Sequence, residues 1–234
     1  MIKKLKYYVK NPSRLLRSNT SNTLKKSIKG ENNNVIFEPG CQINQCVIEV
    51  IGDNNSIYVA ANCRLNNVKF FIKGSNNTIN IAEHVRVNRS ADFWIEDEHC
   101  VISVAHHTSF ESVHLAATEP NSKITIGSDC MFAYDIDVRT GDSHSILDAT
   151  SNKRINYAKD VIFGNHIWVA AHCSILKGVN IADNSVIATR SVVTKSFDKK
   201  GVIVGGSPAV IIKENINWDR KRLYDKAQLG VPYQ

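Results

Sequence analysis

Three stretches of this chain align without a gap at a spacing of 22 residues: Gly30-Glu-Asn-Asn-Asn-Val-Ile-Phe, Gly52-Asp-Asn-Asn-Ser-Ile-Tyr-Val and Gly74-Ser-Asn-Asn-Thr-Ile-Asn-Ile. The register continues through Cys41, Cys63 and Val85, and through Asn44, Asn66 and Asn88. A fourth copy, Cys100-Val101-Ile102-Ser103, is expected to keep the step with a degenerate turn. Each copy pairs a polar, Asn-rich turn with a short alternating strand of β-branched residues. Such a unit cannot bury its apolar face alone. Repeats of this length stack as coils, each covered by its neighbours. Cys41 and Cys63 are then expected to stack in the core.

The second half repeats every six residues. Phe163, Val169, Ile175, Ile181, Ile187 and Val193 follow one another at that interval, and Ile126, Phe132 and Val138 keep it earlier. The positions four further on, Ile167, Cys173, Val179, Ser185, Ser191 and Phe197, are again mostly small or apolar. A period of six suits neither a helix nor a plain hairpin. It suits a prism whose flat sides take six residues each and send one side chain inward. The expected class is all-β.

Charge is unevenly placed. The net charge is +7, yet residues 1–29 hold nine Lys or Arg and no Asp or Glu. The basic character belongs to an N-terminal arm suited to an anionic membrane surface or polymer; a solvated leader is the plainer alternative. No recognised nucleic-acid motif follows it, so no nucleic-acid partner is expected. No apolar run is long enough to span a membrane, and the start MIKKLKYYVKNPSRLL lacks the apolar core of a signal peptide. The cytoplasm is the expected compartment, with peripheral contact at the inner membrane through the arm. The six cysteines form no CxxC pair and fit neither a zinc site nor a compact disulfide framework. His166 and His172, six apart, do not supply three converging imidazoles, so no metal is expected.

The six-step is interrupted once. After Val138 the chain runs RTGDSHSILDATSNKRINYAKD before Val161 resumes the register. A polar excursion of this length inside a compact coil is commonly functional. It holds one histidine, His144, a residue suited to general-base work near neutral pH. Asp142, two residues earlier, is a candidate to orient the ring, with Asp137, Asp148 and a backbone carbonyl as competitors.

The segments ILKGVNIADNSVIATRSVVTKSF and GGSPAVIIK resemble the hexapeptide-repeat acyltransferases. CMFAYDIDVRTGDSHSILD resembles the subgroup that O-acetylates bacterial polysaccharides and capsules. The resemblance implies a left-handed parallel β-helix over residues 30–213, with a catalytic loop at 139–160. The basic arm would occupy 1–29 and a short helical cap 214–234. It also implies acetyl-CoA as co-substrate, a homotrimer, and His144 as the base in direct transfer to a glycan hydroxyl. In this family the Trp matching Trp168 lines the donor channel. Gly206-Ser207-Pro208-Ala209 matches a terminal turn near the nucleotide end of the donor. Ala188 stands where the family often has Gly, and Arg190, Lys195 and Lys213 are the nearest basic residues for its phosphates. His114 is a candidate for the acceptor side. The alternatives are a sugar N-acetyltransferase, a small-molecule O-acetyltransferase, or a non-catalytic glycan-binding scaffold.

Overall fold

The computed structural model describes residues 23–224; the basic residues before position 23 and the segment after 224 lie outside the described part. The chain winds as a three-sided prism of parallel strands. Face A is a seven-stranded sheet running from Asn34–Phe37 to Asn180–Ile181. Faces B and C form one 15-stranded sheet, because two long strands, Arg86–Glu96 and Ser109–Ala117, bend across the corner between them. Face B also holds Arg64–Asn66, Met131–Phe132, Trp168–Val169, Val186–Ile187 and Ile203–Gly206. Face C runs from Leu24–Lys29 through Ile136–Arg139 to Val192–Val193. Leu24–Lys29 is already paired with Cys46–Ile51, so the stack begins before residue 30, and Lys25, Lys26 and Lys29 stand on its first strand.

Both periods have a physical origin in this geometry. In the first half, Asn34 pairs with Ser56 and Ser56 with Thr78, a full coil per repeat. The Asn-rich turns form an internal ladder. The Asn55 N–H donates to Asn33 Oδ1 at 3.0 Å, and Asn77 N–H donates to Asn55 Oδ1 at 3.0 Å. The Asn55 amide group also donates to the Gly74 carbonyl at 2.9 Å. These bonds satisfy turn amides that the sheets leave unpaired. A Cβ on Gly52 would stand 2.0 Å from the Gly74 carbonyl oxygen, and its φ is +127°, so close stacking of coils requires glycine there. The fourth copy departs from expectation. Val101 pairs with Thr78, one residue beyond the 22-step, because the corner between Val87 and Ala91 takes an extra residue.

In the second half each coil is three sides of six: Trp168 pairs with Val186 and Ile175 with Val193. All six members of the six-residue series are buried, and so are the residues four beyond each. Inside the prism a column of phenylalanines runs along the axis, from Phe70 and Phe93 (ring centroids 5.3 Å apart) to Phe110, Phe132 and Phe163. The cysteines are unpaired. Cys63 is buried in the core and Cys41 packs half-buried against it. Burial pushes the Cys63 and Cys130 thiols up to about 12, so both behave as small apolar side chains.

The C-terminal part corrects the expected cap. Residues 214–224 contain no helix. Ala209–Lys213 folds back antiparallel on Ile203–Gly206, and the following segment returns along the corner between faces A and B. There Trp218 stacks on His166 at 4.2 Å. Arg220 donates to Ser109 Oγ (2.7 Å), the Cys130 carbonyl (2.8 Å) and Asp129 (2.9 Å). This guanidinium network holds the segment against the prism side. The remainder of the expected cap lies outside the described residues.

Candidate active site

The excursion after Arg139 leaves the corner between faces C and A, and its root is buried. Thr140 is fully buried; its hydroxyl accepts from the Thr118 N–H at 2.9 Å and donates to the Thr118 carbonyl at 3.0 Å. Arg154 pairs with Glu119. The tip is a small hairpin. Ile155 N–H donates to the Ile146 carbonyl (2.9 Å), and Asp148 accepts from the Ser151 and Thr150 N–H groups. Asp148 Oδ1 is therefore the acceptor that closes the turn.

Asn156 organises the segment that carries His144. It is 7% exposed, and its amide donates to the His144 carbonyl (2.8 Å) and to Asp142 (2.8 Å). Its oxygen accepts from the Ile146 N–H (2.7 Å). Lys177, from the next coil, also reaches the Asp142 carboxylate and donates to the Asn156 carbonyl at 2.9 Å. The Lys177 ammonium holds the Asp142 carboxyl below the usual carboxylate range, with help from the Asn156 amide. Both contacts fall on one Asp142 oxygen, Oδ2, and brace the loop; among the described residues no hydrogen bond joins the carboxylate to the His144 ring. The His144 ring is exposed, and its peptide N–H donates to the Asp142 carbonyl at 2.8 Å.

Asp137 is also engaged. It accepts from Arg139 at 2.6 Å and pairs with His114 Nδ1 at 2.8 Å. Burial raises its pKa, but the contacts with His114 and Arg139 outweigh this and leave it lowered. His114 thus stands on face C, on the strand paired with the one that leads into the loop and two residues short of its root, with Trp94 edge-on at 6.4 Å. His166 and His172 do not converge. Each pairs with its own corner aspartate, Asp129 at 2.8 Å and Asp135 at 2.6 Å.

The donor-side candidates divide between two places. Trp168 points outward from face B, 37% exposed, in register with Met131 and Val186. Ala188 follows Val186–Ile187 on the same face, and Arg190 sits at its corner with a φ of 58°. Gly206 N–H approaches Ser191 Oγ (3.3 Å), and Pro208 is in the adjoining turn. Lys213 lies opposite Ile203. Lys195 is elsewhere: it precedes Phe197, which bridges Ile181 on face A, so it sits at the corner that carries the loop. In a three-sided prism that corner is opposite face B. One chain therefore holds His144, Asp142 and Lys195 on one side, and Trp168, Ala188, Arg190, Gly206, Pro208 and Lys213 on the other.

Sequence reasoning missed Asn156 and Lys177. Neither belongs to a motif; the only available signal was the amide-rich return of the loop and a lysine just before a turn glycine.

A parallel prism with an ordered, histidine-bearing loop at one corner is the architecture of a β-helix of the transferase type. No protein-family model matches the chain. It is 42% identical over 106 residues to a polysialic acid O-acetyltransferase of Escherichia coli O1:K1 / APEC, covering 45% of this chain and 33% of that protein. It is 36% identical over 139 residues to the polysialic acid O-acetyltransferase of Neisseria meningitidis, covering 58% of this chain and 64% of that one. These matches span between a third and just under two thirds of the curated relatives' length. The crystal structure of the polysialic acid O-acetyltransferase OatWY superimposes with a TM-score of 0.80 at 34% identity, over 86% of this chain and 93% of that chain. The chain belongs to the hexapeptide-repeat, left-handed β-helix acyltransferases, in the group of bacterial capsule O-acetyltransferases.

Proposed function

We propose that the protein moves acetyl from acetyl-CoA to a hydroxyl of an acidic capsular glycan, with polysialic acid the first acceptor to test. The observation that carries this reading is the exposed His144, in a loop that leaves the prism and is held by a buried amide and a lysine. The relatives' activity supports the choice of acceptor. His144 removes the proton from the acceptor hydroxyl as its oxygen attacks the thioester carbonyl. The tetrahedral intermediate collapses, the C–S bond breaks, and the coenzyme A thiolate leaves, with the proton on His144 available to neutralise it. No acyl-enzyme is required, because holding both substrates together supplies much of the rate. Trp168, Ala188, Arg190, Gly206, Pro208 and Lys213 would bound the donor on face B.

The opposite placement of His144 and Trp168 supports a shared site, with the loop of one copy meeting face B of the next in a closed cyclic homotrimer. Lys195, beside that loop, would reach the donor of the neighbouring site. The loop's exposed Ile146, Leu147, Ile155 and Tyr157, each at least 47% exposed, support burial against a partner. Six unpaired cysteines favour a reducing compartment, the cytoplasm. The cations of residues 1–29 would add attraction to the polyanion or to the inner membrane surface. The test is acetyl-CoA with polysialic acid, read as thiol release and acetyl incorporation; wild-type protein that hydrolyses no thioester and labels no glycan would end this reading.

A further inference from the structure

The outward side chains of face B form one register-locked row: Gln42, Arg64, Arg86, Ser109, Met131 and Trp168. The row changes character along its length. Past Trp168 it continues to the apolar Val186 and Ile203 and the Gly206–Pro208 turn, where the donor candidates gather. In the other direction it is polar and cationic. Two adjoining grooves lie along this part. One, of about 500 Å³, is lined from Gly40 and Asn62 to Asp129; the other, of about 340 Å³, runs from Arg64 to Trp168. Arg64, Arg86 and Arg220 line both.

The grooves carry net positive charge, with Arg64, Arg86 and Arg220 set against the carboxylates of Asp129 and Glu111. Asp129 is occupied by Arg220 (2.9 Å) and His166 (2.8 Å), and Glu111 accepts from the Asn88 amide at 2.6 Å. Among the described residues, no carboxylate lies within 4.0 Å of the Arg64 or Arg86 guanidinium. Yet these two stand directly opposite one another on neighbouring strands, where like charges oppose folding. The fold obtains nothing from that repulsion. An anion laid between them would relieve it. From Trp168 to Arg64 is four strand spacings, about 19 Å, a distance that suits several units of a chain and not one small anion.

We propose that this row is the acceptor track: an anionic polysaccharide lies along Arg64 and Arg86, and its reacting unit reaches Trp168 from the side opposite the donor. This rests on the acetyltransfer reading for its direction but not for its binding chemistry. The test is the double variant Arg64→Gln, Arg86→Gln with three readouts. The first is Kd for long polysialic acid chains at several salt concentrations, with neutral dextran as control. The second is KM for acetyl-CoA and for a short sialic acid acceptor. The third is oligomeric state by light scattering. The expected result is a Kd for the long chain raised about tenfold at low salt, as for the loss of two partly exposed charge pairs. The salt dependence flattens, while both KM values and the assembly stay as in wild type. Wild-type protein that binds the polyanion no better than dextran, or a double variant with unchanged Kd, overturns the track. So does a loss that follows the acetyl-CoA KM, which would make the arginines donor ligands, or a loss that follows dissociation of the assembly. Polyanion binding that depends on both arginines in a protein without transferase activity would keep the track and end the acetyltransfer reading.

Discussion

His144 and the side chains that hold it divide the work of the loop between chemistry and position. If His144 is the base, as proposed, His144→Ala should lower turnover by roughly 10² or more with the melting temperature unchanged; a folded variant with near wild-type turnover would take His144 out of the mechanism. Lys177 touches no reacting atom and acts as a positioning residue through Asp142 and Asn156. Because Lys177 depresses the Asp142 pKa, the contact stabilises the folded loop above the ordinary carboxylate range and is lost as pH falls through the lowered value. Lys177→Met should move that loss to higher pH and reduce kcat by up to about 10²-fold, the scale of a misplaced catalytic group. Hydrogen exchange of residues 140–160 against pH reads the first effect. An identical pH profile in the variant would separate Lys177 from the ordering of the loop.

At the scale of elements, coil and corner do different jobs. The strands are short, two residues in much of the second half, so their order derives from inward packing and from the coils above and below. In the first half the Asn ladder adds hydrogen bonds inside the turns. Asn55→Ala would leave the Asn77 N–H and the Gly74 carbonyl without their partners. The buried Asn77 N–H should cost about 1–3 kcal/mol before relaxation, and the half-buried Gly74 carbonyl less. Thermal unfolding should show a lower midpoint by several degrees, with turnover at room temperature preserved. A variant as stable as wild type would mean that water replaces the amide.

The whole molecule poses a question that no single coil answers, since the two halves of the candidate site face opposite sides of one prism. If His144 of one copy works with Trp168 of the next, inactive His144→Ala and Trp168→Ala chains should complement each other. In a mixed ring of three, one junction regains both residues. Random reassembly of equal amounts should therefore recover roughly a quarter of wild-type activity. Co-refolding the two variants and measuring thiol release checks this. No recovery, in samples that light scattering shows to be mixed assemblies, would place both residues in one chain's site.

The repeat was legible in the residues because stacking imposes a fixed return distance. Inward positions such as Phe163, Val169 and Ile175 recur at six, and turn glycines such as Gly52 recur at 22, since a Cβ there would strike the next coil. The loop and His144 were legible as a break in that period. The extra residue between Val87 and Ala91 was not, since a corner accommodates it without disturbing the apolar pattern on either side. Only the tertiary structure brings Lys177 to Asp142, because that contact depends on where the next coil projects a side chain 35 residues away. The same holds for the return of Trp218 and Arg220 along the prism side, and for the alignment of Arg64, Arg86 and Trp168 in one row. Periodicity along a chain determines which side chains point inward. The neighbours of those pointing outward are set by the register between coils and by insertions, which no local pattern encodes.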